Sequence, residues 1–200
     1  MTTGWINPYR FTASTHVAAT PAGYYPPSGF SSASPLTVGG ITYTISTSSY
    51  TGLNPVWQCV DYNTSTSWCS GAHYTPPYTG KPSTTLRSGQ VITGDWIQLQ
   101  MSTGIRPNFY YITGLDAGTS SVLAKHNPRI PVLVASNDGT TWDVIDSIPY
   151  ETFYWAGTNM LQIDVKTLAT NYTYFRLIVY SIWGSTDGVA SIVEFKLRAV

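Results

Sequence analysis

The fold class of this chain is decided by one stretch, Arg129-Ile130-Pro131-Val132-Leu133-Val134-Ala135-Ser136-Asn137-Asp138-Gly139-Thr140-Thr141-Trp142-Asp143-Val144-Ile145. Residues 130–135 form an apolar run of strand length, and the last four residues of the stretch begin a second strand. Between them, Asp138-Gly139 supplies the positive φ angles that a tight hairpin turn requires. The stretch therefore predicts two antiparallel strands joined by a hairpin.

The β pattern continues on both sides of this hairpin. Residues 41–45 and 96–101 alternate apolar and polar side chains, as half-buried strands do. Residues 174–183 are apolar on both faces, which is typical of a central strand, and residues 189–197 alternate again. No stretch keeps a helical period for three turns. We therefore predict an all-β fold, an antiparallel jelly-roll β-sandwich, over residues 41–200.

Residues 1–40 have a different composition from the rest of the chain. Prolines and glycines alternate there with aromatic residues, so the segment is predicted to be an extended N-terminal arm. Two interpretations stay open: the arm packs on its own domain, or it docks on a neighbouring subunit.

The charge of the chain limits its partners. Charged residues make up 10% of the 200 residues, and Lys+Arg 10 balance Asp+Glu 10. A neutral chain does not attract polyanions, so we expect no nucleic-acid partner and no membrane bound by charge alone. No apolar run approaches the roughly 20 residues of a membrane-spanning helix, so membrane insertion is not expected. The N-terminus does not resemble a secretory signal, so Cys59 and Cys69 are expected to be free thiols if the chain stays in the cytosol, and a disulfide between them is the alternative.

Catalytic motifs are missing from the sequence. There is no Gly-x-Ser-x-Gly elbow, P-loop, HExxH or CxxC pattern, and no pair of carboxylates stands out as a glycosidase pair. The three histidines, His16, His73 and His126, lack zinc-ligand spacing. We therefore expect a protein that is not an enzyme.

Three segments together resemble the discoidin family, also called coagulation factor V/VIII type C or galactose-binding-like domains. The family's opening motif, A-x-D-G-N-x-x-T-x-W, is similar to the stretch Cys59-Val60-Asp61-Tyr62-Asn63-Thr64-Ser65-Thr66-Ser67-Trp68. Val134-Ala135-Ser136-Asn137-Asp138-Gly139-Thr140-Thr141-Trp142 is close to its hairpin GSNDGxxW. Tyr174-Phe175-Arg176-Leu177, followed by residues 190–197, is similar to its ending YxRL…xSLAELEL. The likeness covers roughly residues 41–200, and at the position matching Arg176 it implies a structural role.

A further likeness points to a particular form of the domain. Two segments resemble the form of the domain found in structural proteins of large DNA viruses and some phages. They are Tyr74-Thr75-Pro76-Pro77-Tyr78-Thr79-Gly80 and Gly94-Asp95-Trp96-Ile97-Gln98-Leu99-Gln100. This resemblance implies a virion protein of the capsid surface, made in the host cytoplasm without a signal peptide.

The resemblance also implies a structural calcium site, because the family often holds Ca²⁺ beside the opening motif. Oxygen ligands from carboxylates, hydroxyls and carbonyls suit this cation. The matching candidates are Asp61, Asn63, Thr66, Ser191 and Glu194. Tyr62 stands where the family prefers glycine, and a positive φ there would strain the loop.

Ligand binding in the family occurs on loops at one end of the sandwich, through aromatic faces and a few polar groups. The loop residues that could act in this way here are His73, Tyr74, Tyr78, Lys125, His126, Asn127, Phe153, Tyr154 and Trp155. The same side chains could instead pack on the sandwich rim or against a partner subunit.

Two functions follow from these observations. The first is a virion structural protein, such as a minor capsid, cement or spike-associated protein, that contacts other capsid subunits or further copies of itself. The alternative is a carbohydrate-binding attachment module that recognises cell-surface glycans.

Overall fold

The computed structural model describes residues 23–74, 81–115, 123–147, 149, 152, 160–184 and 187–199. Within these ranges the structure has two short 3-10 helices, Val56–Cys59 and Leu123–His126, and its other regular elements are strands. In these residues no helix is long and apolar enough to cross a bilayer. The strands are β1 (Tyr24–Tyr25), β2 (Leu36–Val38), β3 (Ile41–Thr47), β4 (Trp68–Cys69), β5 (Ser83–Thr85), β6 (Val91–Thr93), β7 (Asp95–Ile105), β8 (Pro107–Thr113), β9 (Pro128–Ser136), β10 (Asp143–Val144), β11 (Met160–Asp164), β12 (Tyr172–Ile182), β13 (Ser191–Ile192) and β14 (Glu194–Ala199).

The strands form two antiparallel sheets that enclose a core. One sheet has six strands in the order β10-β9-β12-β7-β3-β2, and the other has four in the order β1-β14-β8-β11. Two pairs, β13-β4 and β5-β6, lie beside them. The prediction of an all-β antiparallel sandwich is confirmed.

Alternation along the strands builds the core between the sheets. Ile97 and Leu99 of β7 are fully buried, as are Phe195 and Leu197 of β14. Burial of each such side chain contributes about 1.5–3 kcal/mol. The prediction that residues 174–183 form a central strand is also confirmed, since β12 lies between β9 and β7.

A second hydrophobic cluster covers the outer face of the six-stranded sheet. The hairpin β5-β6 contributes Leu86 and Ile92, which pack with Val132, Val134 and Ile178. Because this hairpin covers the sheet from outside, β12 is buried on both faces. The double-sided apolar pattern of β12 therefore has a structural cause.

The predicted tight turn between β9 and β10 is wrong. Residues 137–142 separate the two strands, and in this loop only Gly139 has a positive φ, of 72°. The Asp138 carboxylate instead accepts hydrogen bonds from the Thr140 and Thr141 amides at 2.8 and 2.7 Å. These bonds lower the pKa of Asp138 and replace the backbone bonds of a two-residue turn.

Part of the predicted N-terminal arm belongs to the sandwich. β1 pairs with β14, with Tyr24 opposite Arg198, and β2 pairs with β3, with Leu36 opposite Tyr43. The sandwich therefore begins before residue 41, and residues 23–40 pack on their own domain. Residues 1–22 lie outside the described part of the chain.

The two cysteines are free thiols, as expected. Cys59 is fully buried, and burial raises its pKa. Cys69 is partly buried, with its Sγ 3.0 Å from Ser191 Oγ.

Candidate functional site

One end of the sandwich carries His73, Tyr74 and the segment 125–127, which are the described members of the predicted ligand-binding set. At this end β7 begins at Asp95, opposite Val179, and β12 ends at Ile182, opposite Pro128 at the start of β9. β14 of the other sheet begins here at Glu194, opposite Thr113. We call this the loop end.

His73 is held at the loop end by a buried carboxylate. Asp95 has no exposed surface, and its Oδ2 lies 2.8 Å from His73 Nδ1. Its other oxygen accepts hydrogen bonds from the hydroxyls of Ser48, at 2.9 Å, and Ser49. The His73 side chain remains 26% exposed. Its ring is therefore fixed in orientation and still reachable by a ligand.

Tyr74 has a structural role at the loop end. It is 5% exposed, its hydroxyl donates to the Val179 carbonyl, and the Asp95 amide donates to that hydroxyl at 2.9 Å. Burial raises the pKa of Tyr74. Only its ring is available to a ligand, and Lys81 Nζ lies 4.3 Å from the ring centroid.

The segment 125–127 contributes mainly to the construction of the loop end. Asn127 is fully buried, and its amide group bridges the Leu115 backbone at 2.7 and 3.0 Å. This burial does not fit the predicted role of Asn127 in ligand contact. His126 Nε2 lies 3.0 Å from Asp187 Oδ1, whereas Lys125 is exposed. Four further predicted ligand residues, Tyr78, Phe153, Tyr154 and Trp155, lie outside the described residues.

A cleft of about 550 Å³ opens beside these residues at the loop end. Its walls combine aromatic, cationic and hydroxyl side chains, and its size suits a small-molecule ligand. Among the residues described, the lining is formed by Tyr74, Lys81, Thr93, Arg129, Tyr180, Ser181, Ile182 and Gly184.

Tyr180 reaches the cleft because β12 has an irregularity at this position. Val179 pairs with Pro131, and the register against β9 then shifts before Ser181 pairs with Ile130. Proline has no N–H to donate, and such shifts mark β-bulges, which re-aim a side chain. Tyr180 is accordingly 41% exposed although its strand is central.

Sequence reasoning missed every described cleft residue except Tyr74, including Lys81, Arg129 and Tyr180. They come from separate segments that only the fold brings together. One signal was present in the sequence, because Pro131 inside a strand run indicates a bulge.

The loop 61–66 carries three of the residues predicted to hold calcium, Asp61, Asn63 and Thr66. Tyr62 has a φ of 63°, the left-handed conformation expected for the glycine of the family motif. Its hydroxyl donates to the Pro26 carbonyl at 2.7 Å, which helps to hold this strained residue. Asp61 Oδ1 accepts from the Asn63 amide at 2.9 Å, and Asp61 Oδ2 accepts from the Thr66 hydroxyl at 2.8 Å.

Glu194 brings a second carboxylate to this loop. It is 3% exposed, and neither of its carboxylate oxygens has a hydrogen bond within the part of the chain described. Lys196 Nζ lies 3.2 Å from Oε2 and forms an ion pair with it. Burial raises the pKa of Glu194 to about 7, with Lys196 opposing and Asp61 adding to the shift. Lys196 supplies the cationic partner that a buried carboxylate needs, while Oε1 has no hydrogen bond among the described residues.

The donor set fits calcium better than zinc. No group of three or more His, Cys, Asp or Glu side chains that could hold a metal occurs among the described residues. Beyond the two carboxylates of Asp61 and Glu194, the remaining candidate donors are hydroxyl and carbonyl oxygens, which suit a hard cation. Ser191, also a predicted ligand, is fully buried.

Two facing antiparallel sheets with loops gathered at one end form a galactose-binding-like β-sandwich, the discoidin-type fold. Solved structures with this fold include a family 32 carbohydrate-binding module from Clostridium perfringens in complex with GalNAc-β-1,3-galactose. It has a TM-score of 0.54 and 14% sequence identity, over 78% of this chain and 95% of that chain.

Two other solved structures are similar. The family 32 module of Clostridium perfringens NanJ, in complex with galactose, has a TM-score of 0.53 and 14% identity, over 78% of this chain and 92% of that one. A pectin-binding carbohydrate-binding module has a TM-score of 0.51 and 14% identity, over 84% of this chain and 94% of that one. No family model matches the chain. No curated protein matches it in sequence either.

These likenesses establish the fold. They do not bear on the viral form of the domain, so the virion location stays a prediction.

Proposed function

We propose that this chain is a non-catalytic carbohydrate-binding module that holds a glycan in the cleft at the loop end. The observation that carries the proposal is the cleft itself, where the exposed ring of Tyr180 lies among the polar side chains of Lys81, Arg129 and Ser181. Aromatic faces pack against the C–H surfaces of sugars, and polar groups bind their hydroxyls. The sugar-bound modules that share this fold support the same reading.

The virion structural role, predicted first from the sequence, becomes the second candidate. It depends on the resemblance of residues 74–80 and 94–100 to virion proteins, and the structural neighbours support the glycan-binding alternative better. The two roles are compatible, since a module on a particle surface could bind host glycans.

Substitution of Tyr180 by alanine is expected to weaken glycan binding about tenfold, because an aromatic contact contributes about 1–1.5 kcal/mol. The glycan is first identified by screening the purified chain on a glycan array. Affinities of the wild type and variant for that glycan are then measured by isothermal titration calorimetry.

The matched control is Tyr50→Ala, which removes a tyrosine that is 57% exposed and does not line the cleft. Its affinity should equal that of the wild type. Equal weakening by both substitutions, or the absence of any glycan bound by the folded chain, would contradict the proposed site.

We further propose that Asp61 and Glu194, with the Thr66 hydroxyl and the carbonyls of Asn63 and Ser191, hold a structural calcium ion. When bound, the ion would neutralise two carboxylates that lie close together and one of which is buried. This charge neutralisation would stabilise the fold and take no part in a reaction.

Millimolar calcium is expected to raise the melting temperature of the wild type by about 5–10 °C over that in chelator. A ligand present at about 100 times its Kd stabilises the folded state by about 2.7 kcal/mol, and each kcal/mol corresponds to about 2–4 °C for a chain of this size. Glu194→Gln should abolish the shift, whereas Asp164→Asn, an exposed carboxylate on β11, should keep it. A calcium shift that survives Glu194→Gln would place the ion elsewhere.

A further inference from the structure

We infer that Lys196 is the resident cation of the candidate calcium site and that calcium binds there only by displacing its ammonium group. The inference rests on the calcium site proposed above and names the group of this chain that regulates it. It is independent of glycan binding in the cleft at the loop end.

The site contains two carboxylates that differ in how they are satisfied. Asp61 accepts hydrogen bonds from the Asn63 amide and the Thr66 hydroxyl. Glu194 is 3% exposed, the Asp61 charge acts on it, and its Oε1 has no hydrogen bond among the residues described. Glu194 is therefore the member of the pair that depends more on a cation.

Lys196 brings its ammonium group to this carboxylate. The two residues are two positions apart on β14, so their side chains leave the same face of the sheet. Lys196 Nζ lies 3.2 Å from Glu194 Oε2 and 3.6 Å from the ring centroid of Tyr62. The face of an aromatic ring attracts a cation. The ammonium therefore has an anionic partner and an aromatic partner, and it gives Glu194 the positive charge that a metal ion would otherwise supply.

Tyr62 takes part in this arrangement in a conformation that suits glycine. Its φ of 63° is the one positive φ at a non-glycine residue in the described part of the chain. Glycine adopts this conformation readily but has no ring. The Tyr62 hydroxyl donates to the Pro26 carbonyl at 2.7 Å, which helps to hold the ring against Lys196. The contact with Lys196 therefore gives the tyrosine side chain a role at this position.

The two carboxylates cannot balance both Lys196 and a calcium ion. Asp61 and Glu194 can carry two negative charges and Lys196 carries one positive charge, so one negative charge is left over. A divalent ion beside the ammonium would leave a surplus positive charge, and like charges a few ångströms apart repel each other. If the ammonium turns to solvent, the ion balances both carboxylates. The Lys196 side chain is 18% exposed and has a flexible stem, which permits this movement.

The experiment measures calcium affinity by isothermal titration calorimetry, and melting temperature in chelator and in calcium, for the wild type, Lys196→Met and Lys166→Met. Methionine removes the charge and keeps much of the side-chain volume. We expect Lys196→Met to bind calcium about tenfold or more tightly than the wild type. In chelator its melting temperature should fall by about 5 °C or more, because Glu194 loses its partner, and calcium should restore it. Lys166 is an exposed lysine beyond the end of β11, so Lys166→Met should match the wild type.

The double variant Glu194→Gln/Lys196→Met separates the effect of charge from that of packing. It should bind no calcium, and in chelator it should regain the stability that Lys196→Met loses, since no buried charge is left unpaired. A double variant as unstable as Lys196→Met would overturn the inference, and this comparison holds even if the single variant does not fold.

The outcomes distinguish this inference from the calcium site on which it rests. Equal calcium affinity of the wild type and Lys196→Met would overturn the inference and leave the calcium site in place. Calcium binding by Lys196→Met alone would support the inference and contradict a calcium site in the wild type. Absence of calcium binding in both chains would remove both proposals.

Discussion

Replacement of Gly94 by alanine is expected to destabilise the sandwich by about 3 kcal/mol or more. A Cβ at this position would lie 2.3 Å from the carbonyl oxygen of Val179 and 2.8 Å from its carbonyl carbon. Both atoms belong to the backbone of the central strand β12, so no side-chain rotation can relieve the overlap. Separation of the strands would also break the hydroxyl bridge of Tyr74, which joins the Val179 carbonyl to the Asp95 amide.

The measurement is urea unfolding followed by tryptophan fluorescence, with Gly52→Ala as the control. A Cβ at Gly52 meets nothing within 4 Å, and Gly52 has no positive φ, so its substitution should change the free energy of unfolding by less than about 0.5 kcal/mol. If Gly94→Ala were as stable as Gly52→Ala, the close approach of β7 and β12 would not be a requirement of the fold.

The sandwich could be predicted from the sequence because strand signals are local. Residues 96–101 alternate, residues 174–183 are apolar throughout, and both patterns correspond to strands in the structure, β7 and β12. The length of the turn after β9 could not be predicted. The pair Asp138-Gly139 fits a two-residue turn, but the hydrogen bonds of the Asp138 side chain stabilise a longer loop.

The candidate binding cleft was less accessible to sequence reasoning, because no local pattern relates its parts. Lys81 precedes β5, Arg129 is in β9 and Tyr180 is in β12. Only the tertiary structure shows that these three residues line the same cleft. Conversely, Asn127 lies in a loop and has the chemistry of a sugar ligand, but its amide is used to fasten the Leu115 backbone.

The candidate calcium loop lies between these two cases. Its residues are close in sequence, and the positive φ at Tyr62 follows the family pattern although the residue itself does not. The ion pair between Lys196 and Glu194 could not be foreseen, because strand register and burial decide whether the two charges meet.

Truncation of Arg176 to alanine is expected to lower the free energy of unfolding by about 3 kcal/mol. The guanidinium lies between two indole rings, 4.0 Å from that of Trp96 and 4.1 Å from that of Trp142. It donates to Gln98 Oε1 at 3.1 and 2.7 Å and to Thr84 Oγ1 at 2.9 Å. Burial lowers its pKa to about 10, so it remains protonated at neutral pH. This environment agrees with the structural role predicted for Arg176.

Alanine at this position would leave a gap between the two indole rings and take the donors away from the Gln98 oxygen, and both changes cost stability. Arg176→Met fills the gap without restoring the donors, so its loss should be intermediate. The control is Arg87→Ala, which breaks an ion pair with Asp143 at 2.8 Å on a side chain that is 63% exposed. Exposed pairs contribute at most about 1 kcal/mol because water and salt screen them. Urea unfolding measures the loss in free energy of unfolding for both variants, and the difference between them is the effect of enclosing the guanidinium between the indole rings. If the loss for Arg176→Ala is no greater than that for Arg87→Ala, the tryptophan stack adds nothing to the stability of the sheet.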